Sequence, residues 1–173
     1  RQTFSGVGTQ TSALASGGNG PVAITESFNG TNWTEVNDLN QGRNGLAGAG
    51  ASNTAALVFG GWGPGAQTTT ESFNGTNWTE VNDLNTGRYS LAGAGIQTAA
   101  LAFGGTPPNY LAITESWNGT NWTEVNDLNQ ARGVLAGSGT YTAALAFGGE
   151  IQPSTLTGIT EEWNGTNWTE VND

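Results

Sequence analysis

Short apolar runs alternate with clusters of Gly, Asn, Asp and Thr along the whole chain, and the alternation repeats itself. The wording Thr-Glu-Ser-Phe-Asn-Gly-Thr-Asn-Trp-Thr-Glu-Val-Asn-Asp begins at Thr25 and returns, with small changes, at Thr70, Thr114 and Thr160, a period of about 45 residues. A second block runs from Arg88 to Phe103-Gly104-Gly105; it recurs from Arg43 and Arg132, and in diverged form from Arg1. Within one unit four stretches suit β-strands: A (91–96), where Gly and Ala alternate; B (99–103), an apolar run closed by Gly-Gly; C (113–117); and D (122–128). C and D are joined through Asn118-Gly119, which predicts a two-residue type I′ turn with positive φ at both positions. D passes into the next A through a short Asn-Gln-Ala-Arg connection, so each unit reads as a meander of four antiparallel strands.

One such sheet cannot bury both of its faces. Radial stacking of neighbouring sheets solves this and makes a β-propeller, whose blades usually number about four to eight. The fold class is therefore all-β, with four blades supplied by a single repeat domain, 1–173, divided near 1–42, 43–87, 88–131 and 132–173. The small residues of A suit a strand crowded at the axis. The aromatics Phe28, Phe73, Trp117 and Trp163 on C, and Trp33, Trp78, Trp122 and Trp168 at the start of D, are the predicted core, each able to bury about 150–250 Å² between blades.

Composition narrows the function. Four Arg, no Lys and fourteen acidic residues give a net charge of −10, without the cationic footprint that nucleic acid requires. There is no apolar run long enough to span a membrane. Cys and His are absent, which removes disulfides, thiolate nucleophiles, His-based acid–base chemistry and the usual zinc and copper sites. No cofactor or metal is expected. The chain begins at Arg1 and has no Met and no signal-peptide pattern, so it reads as a piece of something longer.

The apolar run before Gly-Gly, an aromatic five residues before a Trp, and an Arg after strand D together resemble the kelch repeat. The resemblance is carried by Phe59-Gly60-Gly61, Phe73, Trp78 and Arg88, and by their equivalents Phe103-Gly104-Gly105, Trp117, Trp122 and Arg132. Strand C ends in Phe or Trp where kelch repeats usually have Tyr, the C–D turn is shorter, and the first unit has Ser16 in place of Phe. The regular Asn-Gly-Thr-Asn-Trp wording is also similar to kelch-like arrays in structural and fibre proteins of tailed phages, which implies a virion or cell-surface setting. A kelch-superfamily copper oxidase would need His and Cys, which are missing here.

In an up-and-down blade the A–B and C–D turns emerge on one face, and the B–C and D–A connections on the other. The C–D turn is the same in all four units, whereas the B–C segment differs each time and holds all five prolines. Its residues Trp62, Pro64, Pro107, Asn109, Tyr110, Ile151 and Gln152 are the candidate ligand contacts, since a stiff loop with an unrepeated aromatic or apolar residue suits recognition. Drift of long surface loops is the competing explanation. Apart from Glu150 and Glu162, the acidic residues are the repeats of Glu26, Glu35 and Asp38, predicted to be solvated and to guard exposed sheet edges, with the Arg after strand D pairing with one of them. The eight Asn-x-Thr matches are accounted for by turns and strand D without glycosylation.

The expectation is a non-catalytic binding module whose partner is a protein, a glycan or a neighbouring subunit, its own copies included. The alternative is a purely structural or oligomerisation unit. Paired carboxylates acting on a glycosidic bond are the only enzymatic chemistry left open.

Overall fold

The computed structural model describes residues 1–172, and among them it contains eighteen strands and no helix. The first sheet is β1 (Ser5–Thr9), β2 (Ser12–Ser16), β3 (Thr25–Phe28) and β4 (Trp33–Val36). The second is β5 (Ala47–Ser52), β6 (Ala55–Phe59), β7 (Thr70–Phe73) and β8 (Trp78–Val81), and the third is β9 (Ala92–Ile96), β10 (Ala99–Phe103), β11 (Thr114–Trp117) and β12 (Trp122–Val125). In the fourth, β13 (Ala136–Thr140) and β14 (Ala143–Phe147) are followed by a small separate hairpin, β15 (Glu150–Ile151) and β16 (Thr155–Leu156), before β17 (Thr160–Trp163) and β18 (Trp168–Val171) complete the sheet. Every sheet is an antiparallel meander in chain order, and the four follow one another as blades of a β-propeller.

The first strand of each sheet is innermost. β1 packs beside β5, β5 beside β9 and β9 beside β13, while β13 and β1 make no comparable contact among the described residues. Close approach explains the Gly and Ala of these strands: a Cβ at Gly93 would lie 2.7 Å from the Gly48 carbonyl oxygen and 2.7 Å from the Phe59 ring.

Sheets are joined by one packing pattern. The Trp opening the last strand of a sheet lies over the Phe closing the second strand of the preceding sheet: Trp122 on Phe59 and Trp168 on Phe103, both with ring centroids 4.9 Å apart. The indole N–H also donates to a Thr hydroxyl across the junction, Trp78 to Thr25 (3.1 Å), Trp122 to Thr70 (3.0 Å) and Trp168 to Thr114 (3.0 Å). The first junction keeps this bond although Ser16 replaces Phe. There Ser5 and Val7 approach Gly48 instead.

Phe73, Trp78, Trp117, Trp122, Trp163 and Trp168 are buried. Trp33 is not: it is 51% exposed, and its hairpin partner Phe28 is half-buried, because among the described residues no sheet lies against that flank of the first blade. The C–D turns also depart from expectation. They are four-residue loops in which only the Gly has positive φ, 92° at Gly119, so they are not type I′. The Asn118 side-chain oxygen accepts from the N–H groups of Thr120 (2.9 Å) and Asn121 (2.8 Å), an Asx turn that replaces the tight turn.

Strand D ends earlier than its apolar pattern suggests. The Asp127 carboxylate accepts from the Thr114 N–H at 3.0 Å, taking over from the backbone ladder, and Asp38 and Asp83 do the same for Thr25 and Thr70. Asp173, the fourth copy, lies outside the described residues.

Candidate functional site

The face carrying the B–C and D–A connections is built from the arginines upward. Arg43, Arg88 and Arg132 are fully buried and each forms an ion pair with a fully buried glutamate on the third strand of its own sheet: Arg43–Glu71 at 2.8 Å, Arg88–Glu115 at 3.1 Å and Arg132–Glu161 at 3.1 Å. These glutamates are not the solvated edge charges that the sequence suggests. The expectation holds for the other repeated glutamate, since Glu35, Glu80, Glu124 and Glu170 on the last strands are exposed.

Each guanidinium also donates to main-chain carbonyls at the two ends of the B–C segment. Arg88 reaches Gly104 (3.0 Å) and Ile113 (2.6 Å), and Arg43 reaches Gly60 (3.0 Å) and Thr69 (2.5 Å). The arginine thus clamps the loop base. Burial pulls the Arg43 and Arg88 guanidinium groups below the usual arginine range, while Glu71 and Glu115 pull the other way. In the first blade the equivalent pair, Arg1–Glu26 at 2.5 Å, is partly open to solvent.

Above the clamp, the start of each later B–C segment pairs with the connector that precedes a first strand. Trp62 bridges Asn44, Thr106 bridges Tyr89, and Glu150 bridges Gly133. The next connector residues, Gly45, Ser90 and Val134, together with Thr3, Phe4, Leu46, Leu91 and Leu135, line an axial pocket of about 160 Å³. The B–C segments therefore stand around the mouth of an apolar pocket to which all four blades contribute.

The predicted contact residues are not equivalent in this setting. Trp62 is 41% exposed and rests edge-on against Tyr89, ring centroids 5.1 Å apart. Pro64, Asn109 and Gln152 are exposed, whereas Pro107, Tyr110 and Ile151 are half-buried. The Tyr110 hydroxyl donates to the Glu150 carboxylate, linking the third B–C segment to the fourth, and this bond raises the phenol above its ordinary value. Ile151 lies in the β15–β16 hairpin, which the sequence reading missed, along with Leu156, 80% exposed on its second strand. The extra length of the fourth B–C segment was the available signal.

No protein-family model matches this sequence, and no curated protein matches it. Among solved structures it is similar in fold to one titled "Structure of YjhT", with a TM-score of 0.78 at 13% identity, over 98% of this chain. This chain spans 65% of the length of that one. The likeness supports the β-propeller fold.

Proposed function

We propose that this chain is a non-catalytic, kelch-like binding module whose ligand surface is the ring of B–C segments around the axial pocket. The observation that carries the reading is a contrast within one face. The Arg–Glu clamps beneath the loops repeat from blade to blade, yet the segments they hold differ in length and in side chain. A uniform support under varied tips is the arrangement in which loops carry recognition. Exposed Trp62, half-buried Tyr110 and Leu156 supply rigid or apolar contact area of the kind that anchors a protein or glycan ligand. Their setting fits adhesion or receptor recognition at a virion or cell surface, in keeping with the phage-fibre resemblance.

A glycan array and a pull-down from host-cell surfaces are the matching screens. The Trp62→Ala/Tyr110→Ala double variant is expected to lose the captured ligand while its unfolding midpoint moves little. Trp122→Ala, at a blade junction, is expected to disrupt the fold. Undiminished binding by the double variant to every ligand captured rejects the proposed surface.

A further inference from the structure

We propose that the open flanks of the first and fourth blades are the two halves of one blade-to-blade junction, through which copies of this chain join head to tail. This inference does not depend on the ligand reading, since it rests on the exposed side chains of the two flanks and not on the B–C loops. Leu57 and Phe59, and likewise Leu101 and Phe103, are fully buried under the next blade. Leu145 and Phe147 hold the same positions in the fourth blade and are 41% and 39% exposed. On the opposite flank, Trp78, Trp122 and Trp168 are each 5% exposed, and Trp33 is 51% exposed. One open flank presents the Phe, and the other the Trp that covers such a Phe inside the molecule.

The polar groups at these flanks match as well. At every internal junction an Asn after the last strand donates to an Asn in the next blade's C–D turn: Asn37 to Asn77 (2.8 Å), Asn82 to Asn121 (2.7 Å) and Asn126 to Asn167 (2.8 Å). Asn172 on the fourth blade and Asn32 on the first occupy the donor and acceptor positions, and both are exposed. In the third blade the Gln97 amide reaches back to the Ser72 hydroxyl at 2.9 Å. Gln10 occupies that amide position in the first blade, and the fourth blade offers the Glu162 carboxylate, a strong acceptor, where Ser72 stands.

A backbone ladder also runs around the axis. Gly45 donates to Thr3 (2.7 Å), Ser90 to Gly45 (2.7 Å) and Val134 to Ser90 (2.8 Å). Thr3 of a second copy is the residue that continues this ladder at the Val134 carbonyl. Because the contact is head to tail, it is heterologous, so copies add to one another into a ring where the rotation closes and into an open array where it does not. A junction between copies lacks the covalent connector that holds the internal ones, so association depends on concentration.

Sedimentation equilibrium of the 173-residue chain over a wide concentration range tests the idea. The expected result is reversible growth to whole-number multiples of 17.8 kDa. Trp33→Ala and Phe147→Ala should each weaken association by about thirtyfold or more, the loss usual for a buried aromatic anchor. An equimolar mixture of the two variants should recover a dimer, since one copy keeps an intact fourth flank and the other an intact first. Gln10→Glu, which sets a carboxylate against Glu162, is a second variant at an exposed position and should also weaken association. A mass that stays at 17.8 kDa throughout, or single variants whose mixture recovers nothing, overturns the proposal.

Discussion

Removing one buried glutamate separates a structural ion pair from a decorative one within a single molecule. Glu115 is fully buried, and its carboxylate accepts from Arg88 (3.1 Å) and from the Asn85 backbone (2.7 Å) and side chain (2.8 Å). Glu115→Ala leaves the Arg88 guanidinium bonded to main-chain carbonyls alone, with Asp127 and Glu124 as its remaining charge partners. It also strands the Asn85 backbone N–H, while the Asn85 side-chain amide keeps only the Trp122 carbonyl at 3.3 Å. Breaking a buried pair from one side costs about 3–5 kcal/mol. Glu26 occupies the same repeat position, but its side chain is 40% exposed and solvent screens its pair with Arg1, so Glu26→Ala should cost about 0–1 kcal/mol. For a domain of this size each kcal/mol moves the melting temperature by about 2–4 °C. Thermal unfolding followed by tryptophan fluorescence should therefore show a fall of roughly 6–20 °C for Glu115→Ala and at most about 4 °C for Glu26→Ala. Replacing the whole pair, as Arg88→Met/Glu115→Leu, should recover much of the loss, because no unpaired charge stays buried. Equal shifts for the two alanine variants would refute the reasoning.

Two further outcomes follow from close contacts. Gly93→Ala places a methyl group 2.7 Å from the Gly48 carbonyl and from the Phe59 ring, and should destabilise by about 1–3 kcal/mol in denaturant titration, whereas Gly6→Ala, whose nearest neighbour is 3.9 Å away, should not. The Tyr110 phenol is held above 10.0 chiefly by its hydrogen bond to Glu150. Its folded value exceeds its unfolded one, so the stability this bond adds is present below about 10 and is lost as pH rises through the folded value. Ultraviolet titration should show the Tyr110 transition moving down in Glu150→Gln, and an unmoved transition would remove the bond as its cause.

Much of the fold is legible because the repeat states it four times. The positions of B and C, the Gly-Gly stop and the Trp at the start of D come directly from the wording, since each reports a local preference of strand or turn. The C–D turn was misread because Asn118-Gly119 suits a type I′ turn locally, and only the Asn118 side chain, bonding two and three residues ahead, selects the longer loop. Trp33 was misplaced for a different reason. A repeat makes four tryptophans look alike, while their burial depends on a neighbouring sheet, and the first blade has one on a single flank. At the candidate site, the change in the B–C segments was visible, but the Tyr110–Glu150 bond joins two blades and leaves no trace in either loop alone.

The glutamates show how register converts similar residues into different ones. The C–D hairpin sets Glu115 directly opposite Glu124, as it sets Glu71 opposite Glu80 and Glu161 opposite Glu170. Like charges facing each other across a strand pair repel, so the hairpin needs a cation nearby. Arg88 supplies it: both Glu115 and Glu124 act on its guanidinium, Glu115 by direct contact and Glu124 from the exposed strand. Arg88 therefore performs two tasks, as Arg43 does beside Glu71 and Glu80: it relieves the cross-strand repulsion and clamps the base of the B–C segment through Gly104 and Ile113. Its planar fork allows both at once, which the single ammonium of a lysine could not reproduce at the same geometry.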